Sequence, residues 1–200
     1  MSVYYKVKDR WSAHSLRDLP YTFVPSHCNP VFYKGEFYCL SKDGKLGVFN
    51  PNKTTEEDIW RVYTSLSVND VSSTSSLSIP KDSTRSFIME SNGDIFSVFV
   101  GAVGIPVRVY KLVQSKIMKW LRVRSLGDSI MFLSHTTSLL IPAVLKGTEN
   151  RIYLPRLKEN ASVFYSLKLG KYRSFGDLDS RANWIGTCEH WNCTWFQGIN

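Results

Sequence analysis

The residues of this 200-residue chain best able to ligate a metal or attack a substrate are four cysteines, Cys28, Cys39, Cys188 and Cys193, and four histidines, His14, His27, His135 and His190. Cys188, His190 and Cys193 lie close together, but Cys-x4-Cys is not the Cys-x2-Cys pairing of structural zinc sites, and no second pair supports it. Cys28 follows His27 directly. Adjacent residues on a strand point to opposite faces, so the two do not read as a nucleophile and its base. Glu56-Glu57-Asp58, Asp177 and Asp179 read as solvated loop carboxylates rather than an acid–base pair. No glycine-rich loop opens a helix, so no phosphate cradle is visible. The expectation is a chain without cofactor, metal or enzymatic activity. Its few cysteines, not in a dense framework, read as free thiols of a reducing compartment, cytosol or nucleus.

The formal charge is +8, from 25 Lys and Arg against 17 Asp and Glu. Such a surface favours acidic partners without naming them. Basic residues gather at Lys116, Lys119, Arg122 and Arg124, and again at Lys168, Lys171 and Arg173. Trp120, Tyr165 and Tyr172 lie near them. Bases and aromatics together are the ingredients of single-stranded nucleic-acid binding. The competing and preferred reading is alternation on strands, since Arg122 and Arg124 flank Val123. No apolar run approaches the ~20 residues of a membrane-spanning helix, and no membrane partner is expected.

Strands must position these residues. In Asn29–Pro51, NPVFYKGEFYCLSKDGKLGVFNP, Val31–Tyr33, Phe37–Leu40 and Leu46–Phe49 read as strands. Lys34-Gly35-Glu36 reads as one turn and Asp43-Gly44 as a type I′ turn. Ile59–Tyr63 supplies a fourth strand. A second unit follows from Arg85 to about Arg124: Phe87–Glu90, an Asn92-Gly93 turn, Ile95–Val100, Val107–Leu112 and Trp120–Val123. Trp60 lies 11 residues after Phe49, and Trp120 lies 10 after Tyr110. The two units therefore align as an internal repeat with equivalent tryptophans. A third unit starts at Ser129, with strands at Ile130–Leu133, Leu139–Pro142, Asn150–Leu154, Ser162–Leu167 and Lys171–Phe175. Val3, Tyr5 and Val7 alternate as an initial strand, and Trp11 is expected to pack between units. Residues 64–84, rich in Ser, Thr and Asn, read as a loop. The only helical candidate, Val113–Leu121, sits between strands.

The same stretches resemble, in order, plant F-box proteins that carry a KIB-type β-propeller. They are NPVFYKGEFYCLSKDGKLGVFNP, Phe87–Asp94, Pro106–Leu112, Ser125–Asp128, Thr137–Leu139, Asn150–Pro155 and Asn192–Trp195. Strands at this spacing read as an all-β chain, and its length suits a single domain over 1–200. A β-sandwich is the rival architecture; the recurring tryptophans and the resemblance favour a partial propeller of about three to four antiparallel blades, and Asn192–Gln197 resembles the family's closing strand. The resemblance also implies a role in recruiting a target protein to a Skp–cullin–F-box ubiquitin ligase. No F-box helices precede the first strand, so target holding without docking of the Skp-type adaptor and cullin is expected. A basic nucleic-acid-binding β-domain is the alternative. Propellers bind partners through loops at one end of the central channel, and on that ground Asn92, Arg108, His135, Arg151 and Arg156 are the candidate contact residues.

Overall fold

The computed structural model describes residues 2–5, 9–13, 23–53, 59–63, 68–69, 83–101, 107–114, 118–158, 161–174, 188–189 and 194–195. Every element among them is a strand. β1 (Ser2–Tyr5) and β2 (Arg10–Ala13) form an antiparallel pair. β3 (Val31–Tyr33), β4 (Glu36–Leu40), β5 (Leu46–Phe49) and β6 (Trp60–Tyr63) form the first full sheet, in chain order. β7 (Val68–Asn69), β8 (Ser83–Ser91), β9 (Asp94–Gly101), β10 (Arg108–Val113) and β11 (Lys119–Val123) form the second, ordered β7-β11-β10-β9-β8. The third holds β12 (Ser129–Phe132), β13 (Leu139–Pro142), β14 (Arg151–Lys158), β15 (Ala161–Ser166), β16 (Lys171–Ser174) and β17 (Cys188–Glu189).

The strands and turns of the first two sheets follow local chemistry closely. Lys34-Gly35 and Asn92-Gly93 are two-residue connections with positive φ at both positions, 49° and 82° in the first and 52° and 80° in the second. That is the type I′ geometry whose twist matches the flanking strands. Asp43-Gly44 differs from expectation. Only Gly44 takes a positive φ (82°), and its N–H bonds the Ser41 carbonyl at 3.1 Å while Ser41 N–H bonds the Lys45 carbonyl at 2.9 Å. The loop is thus three residues long, and its one left-handed position falls to glycine, as in a bulged hairpin.

Two pairings depart from the all-antiparallel expectation. β7 runs parallel to β11 from within the region read as a loop, and β12 runs parallel to β14. The helical candidate is not one: Val113 closes β10 and Lys119 opens β11. β14 carries Pro155, which has no N–H to give a ladder. There the β14–β15 register shifts between Tyr153 and Leu157. Beyond that point the opposite edge of β14 pairs with β17, Arg156 against Glu189.

The sheets stack face on face. Tyr38, Leu40, Leu46 and Val48 of the first meet Ile88, Ile95, Phe99, Tyr110, Leu112 and Trp120 of the second. Phe87, Met89, Phe96, Val98, Val100 and Val109 point to the other side, against Met131, Ile152, Leu154, Val163 and Tyr165 of the third. Trp60 packs with Phe23, Cys39 and Phe49 on the face of the first sheet turned from the second. Trp120 likewise lies on the face of its sheet turned from the third. The two tryptophans are both buried and both on fourth strands, but the register pairs Trp60 with Phe49 and Trp120 with Leu112, two residues beyond the Tyr110 that the sequence spacing sets against Phe49.

Several residues singled out in the sequence fall outside the described ones: Lys116, the Glu56-Glu57-Asp58 run, Asp177, Asp179, His14, His190, Cys193, most of 64–84 and, save Thr194 and Trp195, the closing strand. So do the side chains of Trp11 and Cys188. Thr194 and Trp195 form no strand.

Candidate functional site

Three chain segments from three sheets converge on one cleft of roughly 270 Å³. Its walls are the entry to β3 (Cys28 to Phe32), the end of β8 (Ile88 to Glu90) and the connection between β12 and β13 (Ser134 to Ser138). β3 and β8 are edge strands of their sheets and touch each other, so the cleft sits where these edges meet.

The third wall is shaped by its own hydroxyls. The Ser134 Oγ–H donates to the Thr137 carbonyl (2.7 Å), and Oγ accepts from Thr137 N–H (2.8 Å). Ser138 Oγ accepts from Ser134 N–H (3.1 Å) and donates to its carbonyl (3.1 Å). Such short side chains bond nearby backbone and hold a turn where a strand would otherwise continue. Asn29 then ties the wall to the first sheet: its N–H donates to the His135 carbonyl and its Nδ2 to the Thr136 carbonyl, both at 3.1 Å. Phe32 stands 59% exposed at the mouth, its ring 4.9 Å from Phe37. Cys28 is part-buried beside Ser26, and burial pushes its thiol pKa up. A protonated thiol is a poor nucleophile.

Behind the cleft lies an ionic cluster. Glu189 takes a two-pronged bond from Arg85, Nε to Oε1 at 2.7 Å and Nη2 to Oε2 at 2.8 Å. His135 Nε2 approaches Oε1 at 3.2 Å and Arg156 Nη1 approaches Oε2 at 3.7 Å. Burial lowers the His135 pKa against the pull of Glu189, so the ring is neutral at pH 7 and Nε2–H donates to the carboxylate. Burial also pushes Glu189 up, but the Arg85 bonds and charge, joined by His135, hold it below the usual carboxylate range. The cluster joins β8, β14, β17 and the cleft wall.

Of the five candidate contact residues, the structure brings two together. His135 lines the cleft and shares Glu189 with Arg156, which sits behind it. Asn92 occupies the first position of the I′ turn after β8. Arg108 opens β10. Arg151 lies over the Phe164 ring at 4.6 Å and donates to the Gly147 carbonyl at 2.7 Å. These three belong to separate turns and strand ends, because nothing in their local spacing encodes a shared location. Sequence reasoning missed Asn29, Phe32 and the hydroxyl run. The one available signal was Ser-His-Thr-Thr-Ser at 134–138, residues that favour turns over strands, set between two apolar stretches.

The nucleic-acid ingredient list loses its platforms. Trp120, Tyr165 and Tyr172 are buried in the inter-sheet cores. Arg122 lies over the Tyr110 ring and donates to its hydroxyl and to the Val107 carbonyl.

A family model described as KIB1-4 beta-propeller matches residues 1–174. No curated protein and no solved structure matches the chain.

Proposed function

The chain belongs to the KIB1-4 beta-propeller family, a protein-interaction module, and on that premise we propose that it holds a target protein at the cleft between the β3 and β8 edges. The observation that carries this is the cleft itself: exposed Phe32 beside a hydroxyl-rich wall fixed to it by Asn29. An apolar anchor flanked by oriented polar groups is the usual make-up of a binding hot spot. The wider role is target recruitment in a Skp–cullin–F-box ubiquitin ligase. In that arrangement adaptor docking belongs to F-box helices, and the propeller supplies recognition alone. The described residues then hold a target without retaining the adaptor.

The test is affinity capture from a plant extract with purified wild-type chain, Phe32→Ser and Thr137→Arg. Both positions are exposed at the cleft, so the variants should melt like wild type. The expected result is a set of proteins retained by wild type and lost from both variants, with adaptor and cullin absent. Retention of the same proteins by all three chains would remove the cleft from the reading. Stoichiometric recovery of the adaptor would remove the division of labour.

A further inference from the structure

Away from the cleft, three loops at one end of the third sheet are tied to a single residue, Asn150. Its Oδ1 accepts from Leu126 N–H (2.6 Å) and Ser125 Oγ–H (2.9 Å), and its Nδ2 donates to the Gly127 carbonyl (3.0 Å). Its carbonyl accepts from Leu167 N–H at 2.9 Å. Residues 125–127, 143–150 and 167–170 are therefore one ordered surface.

The middle loop of this surface displays apolar side chains. Val144 is 88% exposed and Leu145 69%, and Leu169 on the neighbouring turn is 51% exposed. Their backbone is fixed. Thr148 N–H bonds the Leu145 carbonyl at 3.1 Å and Thr148 Oγ–H bonds the same oxygen. Gly147 takes φ 86°, its N–H is bound by the Glu149 carboxylate at 2.9 Å and its carbonyl by Arg151 at 2.7 Å. Isolated exposed apolar residues are ordinary, but Val144 and Leu145 are consecutive on a braced loop, and Leu169 lies two residues from Leu167, whose N–H bonds the Asn150 carbonyl at the end of that loop. Because the turn is already ordered, docking there immobilises little more of this chain.

Exposed lysines outnumber the carboxylates around the patch. Lys146, Lys168 and Lys171 are exposed. The carboxylates of these loops are Asp128, exposed, and Glu149, engaged with Gly147.

We propose that this loop surface docks an acidic segment of a partner protein that carries an aliphatic or aromatic residue. The lysines select the acidic flanks, and Val144, Leu145 and Leu169 receive the apolar residue. The proposal does not rest on the cleft, which lies on other segments.

Selection of displayed random 16-residue peptides on the full chain tests it. Two counter-targets are used, Val144→Thr with Leu145→Ser, and Lys146→Glu with Lys168→Glu. Four exposed positions are changed, so melting temperatures should match wild type and confirm folding. The expected peptides are net acidic with at least one large apolar residue. A synthetic copy of the best should bind each variant about tenfold or more weakly than wild type, a difference of about 1.4 kcal/mol. Its affinity should fall with added salt. It should bind Phe32→Ser like wild type, which separates this surface from the cleft. Peptides without acidic bias, peptides that bind the variants equally, or no enrichment over background would overturn the proposal. So would binding to phosphatidylserine vesicles, lost in both variants, with no peptide enriched; the surface would then be a lipid-contacting one.

Discussion

Asn150 shows how one side chain organises several segments. It takes φ 62°, a left-handed conformation that asparagine tolerates better than most residues. Asn150→Ala removes three side-chain hydrogen bonds and adds backbone strain, and about 1–3 kcal/mol of stability should go. Asn150→Gly keeps the backbone but not the bonds, and Asn150→Asp keeps the acceptor but loses the donor to Gly127. Urea denaturation should therefore rank Asp above Gly and Gly above Ala. Alanine equal to wild type would show that the loops are held by other contacts. Gly47 makes a second residue-scale case. A Cβ there would stand 3.0 Å and 3.1 Å from two atoms of the Phe23 ring. Gly47→Ala should cost about 1–3 kcal/mol through overpacking. Combined with Phe23→Leu, which makes room, its cost should shrink, and a double-mutant cycle by urea denaturation would measure the coupling. Simple additivity of the two changes would refute the contact.

At the scale of elements, the fourth strands carry the repeat. Trp60 sits opposite Phe49 in the β5–β6 register, and Trp120 sits opposite Leu112 in β10–β11. Both rings are buried, and neither indole N–H finds a partner among the described residues. Trp60→Ala and Trp120→Ala should each cost on the order of 3–5 kcal/mol. Trp→Phe should cost less, because it also removes a buried donor left without a bond. Trp120 lies between two full sheets, and its loss should lower the thermal midpoint and the cooperativity of unfolding together. A wild-type melting curve for Trp120→Ala would contradict the burial assigned to its ring. The middle sheet also explains a sequence pattern. β9 is buried along nearly its whole length, so it reads as an apolar run rather than alternating, as strands covered on both faces do.

Across the whole molecule, the Glu189 cluster links the second and third sheets, and its protons set a pH dependence. Burial lowers the His135 pKa from its ordinary value of 6.5, so below that pH the unfolded chain takes a proton that the folded chain refuses. Stability therefore falls as pH drops through 6.5. Burial would raise Glu189, but Arg85 and His135 take it below 4.5, so on further acidification the unfolded chain again binds the proton first. Both groups act with the same sign. Urea midpoints should decline from about pH 7 to pH 5 and more steeply below pH 4.5. His135→Gln should flatten the upper segment. Glu189→Gln should flatten the lower one while weakening the protein at neutral pH, since it strips Arg85 and Arg156 of a part-buried counter-charge. A His135→Gln chain with the wild-type slope above pH 5 would show that other groups carry it.

What the sequence determined by itself is the set of local decisions: which runs are strands, where Lys34-Gly35 and Asn92-Gly93 turn, and that Trp60 and Trp120 recur. These follow from side-chain period, β-branching and the φ tolerance of glycine and asparagine, all of which act over a few residues. Even there Asp43-Gly44 misled, because the dipeptide does not reveal whether the loop has two residues or three. Only the tertiary structure decided which faces stack, that β7 runs parallel to β11 and β12 parallel to β14, and which distant groups meet. Arg85 and Glu189 are 104 residues apart, and Asn29 and Thr136 107. No periodicity spans such distances. Their meeting depends on how apolar sheet faces bury one another, and that burial is non-directional until the whole stack has formed. The cleft is a product of the stack, which is why only His135 of the cleft wall was foreseen.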